Sequence, residues 1–343
     1  MSFHIIFLFR KRIEMTRSSI TKFCAPYVDV CQWPTFDMVA CAKASGQKYF
    51  TLAFVVAQNG EASWGGYYPL ASTNPPWYLD QITALRTLGG DVVISFGGAS
   101  NQELAQAITD IPTLVAEYQK VIDIYDVQIL DFDIEGTSVA DPMSIDRRNK
   151  ALVILKQNNP NIKIHYTLPV MPTGLDNNGL SVITSAYVNS LTLDLLNLMC
   201  MDYSSQQIDM GQAAISASSA TQQQLVLVGY VNLLLGITPM IGVNDTGEIF
   251  TLQNAQAVLA FAQDSPHIAM LSLWSANRDV SELYPATIAS SQASGVAQKA
   301  NQFISVFNQF SSTTSQPTLV PKFSISFVVD STGTVTNVQV LKE

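Results

Sequence analysis

The sequence predicts a (β/α)8 barrel that is followed by a short β-hairpin. Eight apolar runs of strand length alternate with longer amphipathic or alanine-rich stretches from residue 22 to residue 310. Near-continuous apolar strands joined by helices are typical of a parallel sheet with both faces covered. Eight such units within about 290 residues suit a closed barrel better than an open sheet. An open sheet would also place a phosphate-binding glycine loop after its first strand, where the sequence instead reads DVCQWPTFD.

The predicted elements follow one another along the whole chain. The strands are predicted at residues 22–29, 48–57, 91–97, 127–134, 162–170, 196–201, 237–243 and 268–274. Helices are predicted at residues 80–88, 101–125, 186–195, 210–235, 252–263 and 290–310. The domain prediction is an N-terminal tail (1–21), the barrel (22–310), a polar linker (311–317) and a hairpin segment (318–343). In that last segment, strands at 323–329 and 334–340 flank the turn sequence DSTG.

Composition favours a neutral polymer over a charged partner. Only 13% of the residues are charged, against roughly 25% in average soluble domains, and the formal net charge is −9. Nucleic-acid affinity comes mainly from lysine and arginine, which form no basic stripe in this sequence. No apolar run approaches the roughly 18 residues that a membrane span needs. We expect a monomer with neither a nucleic-acid nor a membrane partner.

The N-terminal sequence and the cysteines indicate whether the protein is secreted or stays inside the cell. The run MSFHIIFLFRKR places its apolar residues before its basic ones, the reverse of a secretory signal, and it is short. Of the cysteines at 24, 31, 41 and 200, none has the spacing of zinc ligands. Cys31 and Cys41 would be able to pair in an exported protein, whereas the alternative is that all four are free core residues.

The segment LDFDIEG carries the strongest chemical signal. On a strand, alternate residues share a face, so Asp131, Asp133 and Glu135 point one way while Phe132 and Ile134 point the other. Successive side chains on one face lie roughly 6–7 Å apart. Stacked carboxylates inside a barrel are costly unless they share protons, accept hydrogen bonds or bind a metal.

Three interpretations fit such a strand. The acids are incidental at a solvated strand end, or they hold a metal ion, or one of them is a general acid. Apolar neighbours disfavour the first, and the lack of a nearby histidine weakens the second, although carboxylates alone bind Mg²⁺ or Ca²⁺. Anionic neighbours would keep the proton on Glu135, as a leaving-group acid requires.

The geometry of the pair restricts the reaction. An ordinary glycosidase places two carboxyl groups on opposite sides of the sugar. Asp133 and Glu135 leave one strand side by side, so Asp133 is poorly placed to attack the anomeric carbon. A glycosidase with this arrangement would take its nucleophile from the substrate, as a 2-acetamido carbonyl can provide.

At this point the sequence resembles glycoside hydrolase family 18. The family's Asp-x-x-Asp-x-Asp-x-Glu pattern reads QILDFDIE at residues 128–135, with Gln128 in place of the first aspartate. The Ser-x-Gly-Gly pattern is matched by SFGG at 95–98, the Met-x-Tyr pattern by MDY at 201–203, and the tryptophan of the eighth strand by Trp274. These motifs, with LPVMPTGL, GITPMIGVND and LSLWSANRD, are similar to the bacterial chitinase D-like branch across residues 22–310.

The resemblance implies a catalytic role for four residues. Glu135 would protonate the glycosidic oxygen, and Asp133 would orient the acetamido group as it attacks. Asp131 would share a proton with Asp133. Tyr203 would donate a hydrogen bond to the acetamido oxygen or to the oxazolinium intermediate.

The resemblance also implies a set of binding residues. Trp274 would form the apolar floor of the site, with Met201 nearby, and Ser95 would hydrogen-bond within the carboxylate cluster. Tyr27, at the end of the first strand, is a further candidate. Many members carry Asp or Asn after the strand-six tyrosine, whereas here Ser204 follows and Asp202 precedes, so Asp202 either binds substrate or caps the strand.

Five aromatic residues lie in the loops after the first two strands, namely Trp33, Trp64, Tyr67, Tyr68 and Trp77. Exposed aromatic faces would be able to stack on sugar rings at outer binding positions. The alternative is that they pack within their own loops.

The resemblance implies a secreted hydrolase of β-1,4-linked N-acetylglucosamine polymers such as chitin, acting with retention and without cofactor or metal. One alternative is an enzyme of the same family that cuts within the core of N-glycans. Another is a chitin-binding lectin of the same fold, in which the acid at the position of Glu135 is typically lost.

Overall fold

The computed structural model describes residues 22–70, 73–204, 208–282, 285–312, 323–329 and 335–342. The chain divides into two units, one of residues 21–313 and one of residues 1–20 with 314–343. The predicted tail, most of the predicted linker and the predicted turn DSTG lie outside the described residues. In the second unit, β14 (Phe323–Val329) and β15 (Val335–Lys342) form an antiparallel pair, as the sequence predicts for this region.

The first unit is built on a ring of parallel strands, which confirms the predicted barrel class. The first strand is split into β1 (Phe23–Cys24) and β2 (Tyr27–Asp29). The other ring strands are β3 (Tyr49–Gln58), β6 (Asp91–Gly97), β7 (Ile129–Asp133), β8 (Lys163–Pro169), β9 (Leu195–Met199), β10 (Leu234–Thr238) and β13 (Ile268–Leu271). Each ring strand pairs in parallel with its neighbour in chain order, β2 with β3 at one end and β1 with β13 at the other.

Pro26 explains the split of the first strand. Proline has no N–H to donate to a strand ladder, so pairing is interrupted at that residue. The backbone on either side turns to different neighbours: Ala25 N donates to Leu271 O, whereas Pro26 O accepts from Thr51 N, both at 2.9 Å. One short segment thereby joins β13 to β3 and brings the two ends of the sheet together.

Four further short strands lie outside the parallel ring. The antiparallel β4 (Glu61–Trp64) and β5 (Tyr68–Pro69) extend β3, and β11 (Gly242–Val243) pairs with β12 (Ile249–Phe250). Both additions follow the carboxyl ends of ring strands, the end at which barrel enzymes build their sites.

Helices follow most ring strands. They are α1 (Met38–Ser45), α2 (Leu79–Thr87), α3 (Leu104–Ala107), α4 (Ile111–Tyr125), α5 (Pro142–Asn158), α6 (Asn177–Val188), α7 (Met210–Val228), α8 (Leu252–Asp264) and α9 (Gln302–Phe307). Aspartate side chains cap five of them at the N-terminus, accepting a backbone N–H, and Thr251 caps α8. Such caps satisfy N–H groups that the first helical turn leaves free. None of the described helices has the length and apolarity to cross a membrane.

Several predicted boundaries were wrong. The helix predicted at 101–125 is two helices, because Asp110 caps α4 and Pro112 lies in its first turn. The helix predicted at 186–195 is α6, which begins after the cap at Asp176 and ends at Val188. The closing helix predicted at 290–310 is only α9 followed by a 3₁₀ turn.

Gly229 accounts for the error at the end of α7. It ends α7 in the left-handed conformation, with a φ of 111°, seven residues before the predicted end at 235. The leucines that follow enter β10, which begins at Leu234 rather than at residue 237. A residue with a Cβ would be strained at that φ, so the glycine fixes where the helix ends and the strand begins.

The prediction also omitted α1 and α5. The buried face of α5 includes Arg148 and Asn149, both fully buried, so its apolar periodicity is weak in the sequence. Arg148 donates two hydrogen bonds to Glu103, at 3.2 and 3.0 Å, and the exposed fractions of the two side chains are 0% and 5%. This ion pair fastens α5 to the start of α3.

Breaking that pair should destabilise the barrel. We expect Arg148→Met to lower the free energy of unfolding by about 3–5 kcal/mol, because Glu103 would remain buried without its partner. Equilibrium urea unfolding followed by circular dichroism measures the change. Lys150→Met is the matched control, since Lys150 and Asp146 form an ion pair that is about half exposed. We expect about 0–1 kcal/mol there, and equal losses in the two variants would contradict the prediction.

Candidate active site

A cavity of about 480 Å³ opens at the carboxyl ends of the ring strands, and we call it the cleft. Ring strands and the loops that follow them supply its walls. The lining residues are Tyr27, Asp29, Cys31, Gln32, Phe54, Val56, Gly65, Tyr67, Ala99, Ser100, Asn101, Asp133, Glu135, Thr167, Met199, Met201, Asp202, Thr238, Met240, Asp245 and Trp274. The predicted carboxylate face on β7 therefore opens into a hollow of the size that small ligands occupy.

Asp131 lies beneath the cleft and is held by three hydroxyl groups. Its Oδ2 accepts from Tyr27 Oη at 2.8 Å and from Ser95 Oγ at 2.6 Å. Its Oδ1 accepts from Thr167 Oγ1 at 2.7 Å. Burial raises the pKa of Asp131, and these hydroxyls oppose that rise because they stabilise the anion.

The hydroxyls belong to a larger polar layer inside the barrel. Asn197 Nδ2 donates to Thr167 Oγ1 at 3.1 Å and to Tyr27 Oη at 3.3 Å, and its Oδ1 accepts from Thr238 Oγ1 at 2.8 Å. Five ring strands, β2, β6, β8, β9 and β10, thus contribute to one network around the carboxylate of Asp131 on β7. A buried network with its members hydrogen-bonded fixes side-chain positions.

Asp133 sits above this layer with little support. It is 4% exposed, and its Oδ1 accepts no hydrogen bond from the residues that the structure describes. Burial, followed by the charges of Glu135 and Asp131, raises the pKa of Asp133 well above its usual value. The carboxyl group therefore favours its protonated form, and the residue lines the cleft.

Glu135 is partly buried at the wall of the cleft. Burial, with a contribution from the negative charge of Asp202, raises the pKa of Glu135 to about 7. At neutral pH, Glu135 is therefore protonated in a substantial fraction of the molecules. A group with this pKa is able to act as a general acid in one step and as a general base in the next.

Asp202 lines the cleft together with Glu135 and is held by the loop after β10. Its backbone is left-handed, with a φ of 55°. Its N–H donates to Asn244 Oδ1 at 3.3 Å, and its Oδ1 accepts from the N–H of Thr246 at 3.2 Å. Of the two roles left open for this residue, the placement in the cleft favours contact with substrate.

An aromatic and sulfur-rich surface forms the apolar part of the cleft. The ring of Trp274 stacks on Phe54, with centroids 5.6 Å apart and an interplanar angle of 19°, and lies 6.0 Å from Tyr27. Met201 lines the same space, with Met199 and Met240 beside it. The predicted floor residue is thus at the cleft, while Phe54 was missed because nothing in its sequence context distinguishes it from other core aromatics.

The remaining predicted site residues divide by position. Ser95 and Tyr27 touch Asp131 directly, although Ser95 is fully buried and does not line the cleft. Tyr203 is 6% exposed and is not among the described lining residues, and its hydroxyl has no hydrogen-bond partner among them. A substrate contact by Tyr203 therefore stays a prediction.

Sequence reasoning missed the polar layer residues Thr167 and Asn197. Asn197 is a polar residue within an otherwise apolar strand, and that signal would have marked it, whereas the strand of Thr167 also contains Lys163 and His165. Among the described residues, no group of three histidine, cysteine, aspartate or glutamate side chains is arranged to hold a metal ion. Burial lowers the pKa of His165 to about 3, so this histidine stays neutral in the barrel interior.

Known proteins resemble this chain over most of its length. A probable bifunctional chitinase/lysozyme of Escherichia coli K12 is 38% identical over 280 residues, and endochitinase 11 of Metarhizium anisopliae is 37% identical over 277. The catalytic domain of a hyperthermophilic chitinase from Pyrococcus furiosus superposes with a TM-score of 0.77 at 32% identity, covering 87% of this chain and 97% of that one. The chain belongs to the glycoside hydrolase family 18 chitinases.

The matches cover most of this chain but only part of the length of the two curated relatives. Each curated relative aligns with 75% of this family 18 chain, which spans 31% of the length of the E. coli protein and 52% of the M. anisopliae protein. A further P. furiosus structure, of catalytic-site mutants, is a complex with chito-oligosaccharides, at 31% identity and a TM-score of 0.77. No family model matches the sequence.

The hydrogen bonds from the three hydroxyls to Asp131 should contribute measurably to the stability of the protein. Thr167→Val preserves shape but removes a donor to a buried carboxylate, so we expect a loss of about 1–3 kcal/mol in the free energy of unfolding. Urea unfolding measures it. The control is Thr87→Val, since Thr87 Oγ1 donates to Ala84 O at an exposed helix end, and we expect a change within about 0.5 kcal/mol. A loss for Thr167→Val no larger than that of the control would count against the network.

Proposed function

We propose that this chain hydrolyses the β-1,4 linkages of chitin and chitooligosaccharides, with retention of anomeric configuration. The observation that carries the proposal is the pairing of Glu135, a partly buried acid with a pKa near neutrality, with Asp133, a buried carboxyl group two residues earlier at the end of β7. The names of the related chitinases support the same substrate.

The placement of the two groups supports one mechanism. Asp133 ends β7 and Glu135 follows two residues later, so both acids enter the cleft from the same strand end and approach a bound sugar from the same side. An enzyme nucleophile would have to lie across the sugar from the acid, roughly 5–5.5 Å away. The substrate's own acetamido oxygen is therefore the nucleophile in this proposal.

The first half of the reaction breaks the glycosidic bond. Glu135 gives its proton to the bridging oxygen while the acetamido oxygen forms a bond to the anomeric carbon. The leaving sugar departs as an alcohol, and an oxazolinium ion remains. The proton that Asp131 and Asp133 share moves to Asp131, so the carboxylate of Asp133 accepts a hydrogen bond from the acetamido N–H and balances the developing positive charge.

The second half restores the enzyme. The carboxylate of Glu135 takes a proton from water, whose oxygen attacks the anomeric carbon and opens the oxazolinium ring. Two displacements at one carbon give net retention. Trp274 supplies the apolar surface beneath the reacting sugar, and Met201 and Asp202 border it.

Location and assembly follow as further parts of the proposal. Chitin is a polymer that does not cross a cell membrane unaided, so we infer that the enzyme acts outside the cell. A monomeric enzyme stays part of the proposal.

Removing the acid should stop turnover and spare binding. We expect Glu135→Gln to lower kcat on chitin oligosaccharides by at least about 10²-fold, because a general acid contributes 10²–10⁴-fold. Product chromatography measures turnover, and isothermal titration calorimetry measures binding of the oligosaccharide. Release of glycans from a high-mannose glycoprotein by the wild type, without cleavage of chitin oligosaccharides, would instead favour the N-glycan enzyme.

The pH profile should depend on Asp202. Glu135 must be protonated in the free enzyme, so kcat/KM should fall as pH rises through about 7. The charge of Asp202 raises the pKa of Glu135, so Asp202→Asn should move this limb to lower pH. Asp245→Asn is the control, since Asp245 also lines the cleft but is not a cause of the shift. An identical limb in wild type and Asp202→Asn would refute the assignment.

A further inference from the structure

The segment that follows β13 fastens separate parts of the barrel to one another. Asn277 Nδ2 donates to Asp29 O at 3.1 Å, and Asn277 Oδ1 accepts from Asp29 N at 2.9 Å, which ties the segment to the end of the first strand. The carboxylate of Asp279 accepts two backbone N–H groups of α9, at 3.1 and 2.9 Å. Arg278 lies between these two residues, so its backbone is held on both sides.

The side chain of Arg278 contacts the backbone of a neighbouring loop. Arg278 is 2% exposed, and its Nη2 donates to Ile241 O at 2.8 Å and to Val243 O at 2.6 Å. Both carbonyls belong to residues 239–248, which follow β10 and which we call the holding loop. Arg148, by contrast, binds a carboxylate on another element. Arg278 therefore fixes the holding loop through its main chain.

The start of the holding loop is also fastened to the cleft floor. Trp274 N donates to Pro239 O at 2.9 Å, and Ile241 N donates to Trp274 O at 3.0 Å. Gly242 has a φ of 71°, and a Cβ there would clash with the backbone oxygen of Ser294, so the glycine permits a close approach. The loop is thus packed tightly along the segment that carries the arginine.

The far part of the holding loop determines where Asp202 lies. Asn244 is 1% exposed, and its Nδ2 donates to Met240 O at 2.8 Å and to Gly242 O at 3.1 Å. Its Oδ1 accepts from Asp202 N at 3.3 Å, and Thr246 N donates to Asp202 Oδ1 at 3.2 Å. The loop therefore positions Asp202, and the arginine positions the loop.

Charge links the same residues. Burial lowers the pKa of Arg278 to about 10, and the negative charges of Asp245 and Asp202 oppose that change. Because the interaction of two charges is mutual, Arg278 favours the anionic form of Asp202. The charge of Asp202 in turn raises the pKa of Glu135. The ionisable groups at or next to the cleft are Tyr27 and Asp29 on β2, Cys31 after it, Tyr67 after β4, Asp131 and Asp133 on β7, Glu135 after it, Asp202 after β9, Asp245 and Glu248 on the holding loop, and Arg278.

We propose that Arg278 is a positioning residue for the catalytic acid: it fixes the holding loop, the loop fixes Asp202, and Asp202 keeps a negative charge in the cleft that holds Glu135. This rests on the proposed function. Arg278 is buried and is not among the described lining residues, so it acts through Asp202 and not by touching substrate. An arginine that only stabilised the fold would not affect the protonation of Glu135.

The pKa of Glu135 is the measurement that separates these two roles. Without Arg278, Asp202 should be held less firmly and be charged less often, and so should raise the pKa of Glu135 less. We expect Arg278→Met to move the alkaline limb of kcat/KM on chitin oligosaccharides to lower pH by about 0.5–1 unit. The carboxyl-carbon NMR titration of Glu135, assigned by its absence in Glu135→Gln, should move equally. Arg148→Met removes another buried arginine and should leave both midpoints as in the wild type.

A double variant tests the route through Asp202. Arg278→Met combined with Asp202→Asn should titrate like Asp202→Asn alone, whereas a shift equal to the sum of the two single shifts overturns the route. Wild-type midpoints in folded Arg278→Met overturn the proposal as a whole. If Arg278→Met does not fold, Arg278→Gln replaces it, because its neutral amide still donates to one carbonyl. A wild-type titration of Glu135 in that variant also overturns the proposal.

The NMR titration needs no substrate, so its result does not depend on turnover. If the wild type cleaves no chitin oligosaccharide, the proposed function fails separately. The titration of Glu135 in the Arg278 variants then still decides whether the arginine sets the charge beside the acid: a shift to lower pH supports that role, and an unchanged titration overturns it.

Discussion

The site depends on one interaction: three hydroxyl groups donate hydrogen bonds to the buried carboxylate of Asp131. A charge inside a barrel is costly unless hydrogen bonds replace its water. Tyr27, Ser95 and Thr167 supply those bonds from three different strands. Because Asp131 is stabilised there, its charge helps to raise the pKa of Asp133 directly above it. The arrangement of the strands around the ring, which brings the three hydroxyls to Asp131, thus also affects the protonation of Asp133.

The cleft keeps its acids unneutralised. No lysine, arginine or histidine is among its described lining residues, whereas five carboxyl groups are. An arginine beside Glu135 would stabilise the anion and lower its pKa. The pair that does contain a buried arginine, Arg148 with Glu103, holds α5 against α3 and is not part of the cleft. The charge of a second buried arginine, Arg278, does reach two acids of the cleft, Asp245 and Asp202.

The two halves of the cleft are built differently. The acids sit on strands and on short loops held by backbone hydrogen bonds, such as the loop of Thr246 that holds Asp202. The exposed aromatic residue of the cleft, Tyr67, sits on a longer loop after β3, braced by contacts between loops. Rigid strands suit groups that must move a proton with precise geometry, while loops are where barrels vary their substrate contacts.

The sequence by itself determined the eight ring strands, the position of Asp131 and Asp133 on the fourth of them with Glu135 just beyond it, and the presence of Trp274 shortly after the last strand. These follow from alternation and order along the chain, which are local properties. The boundary between α7 and β10 depended on the left-handed conformation of Gly229, and α5 was hidden by its buried arginine. Only the tertiary structure decided that Thr167 and Asn197 serve Asp131, that Asp202 lines the cleft together with Glu135, and that Trp33 and Tyr67 alone among the loop aromatics are exposed. Those facts join residues far apart in sequence, and ring closure, not local pattern, brings them together.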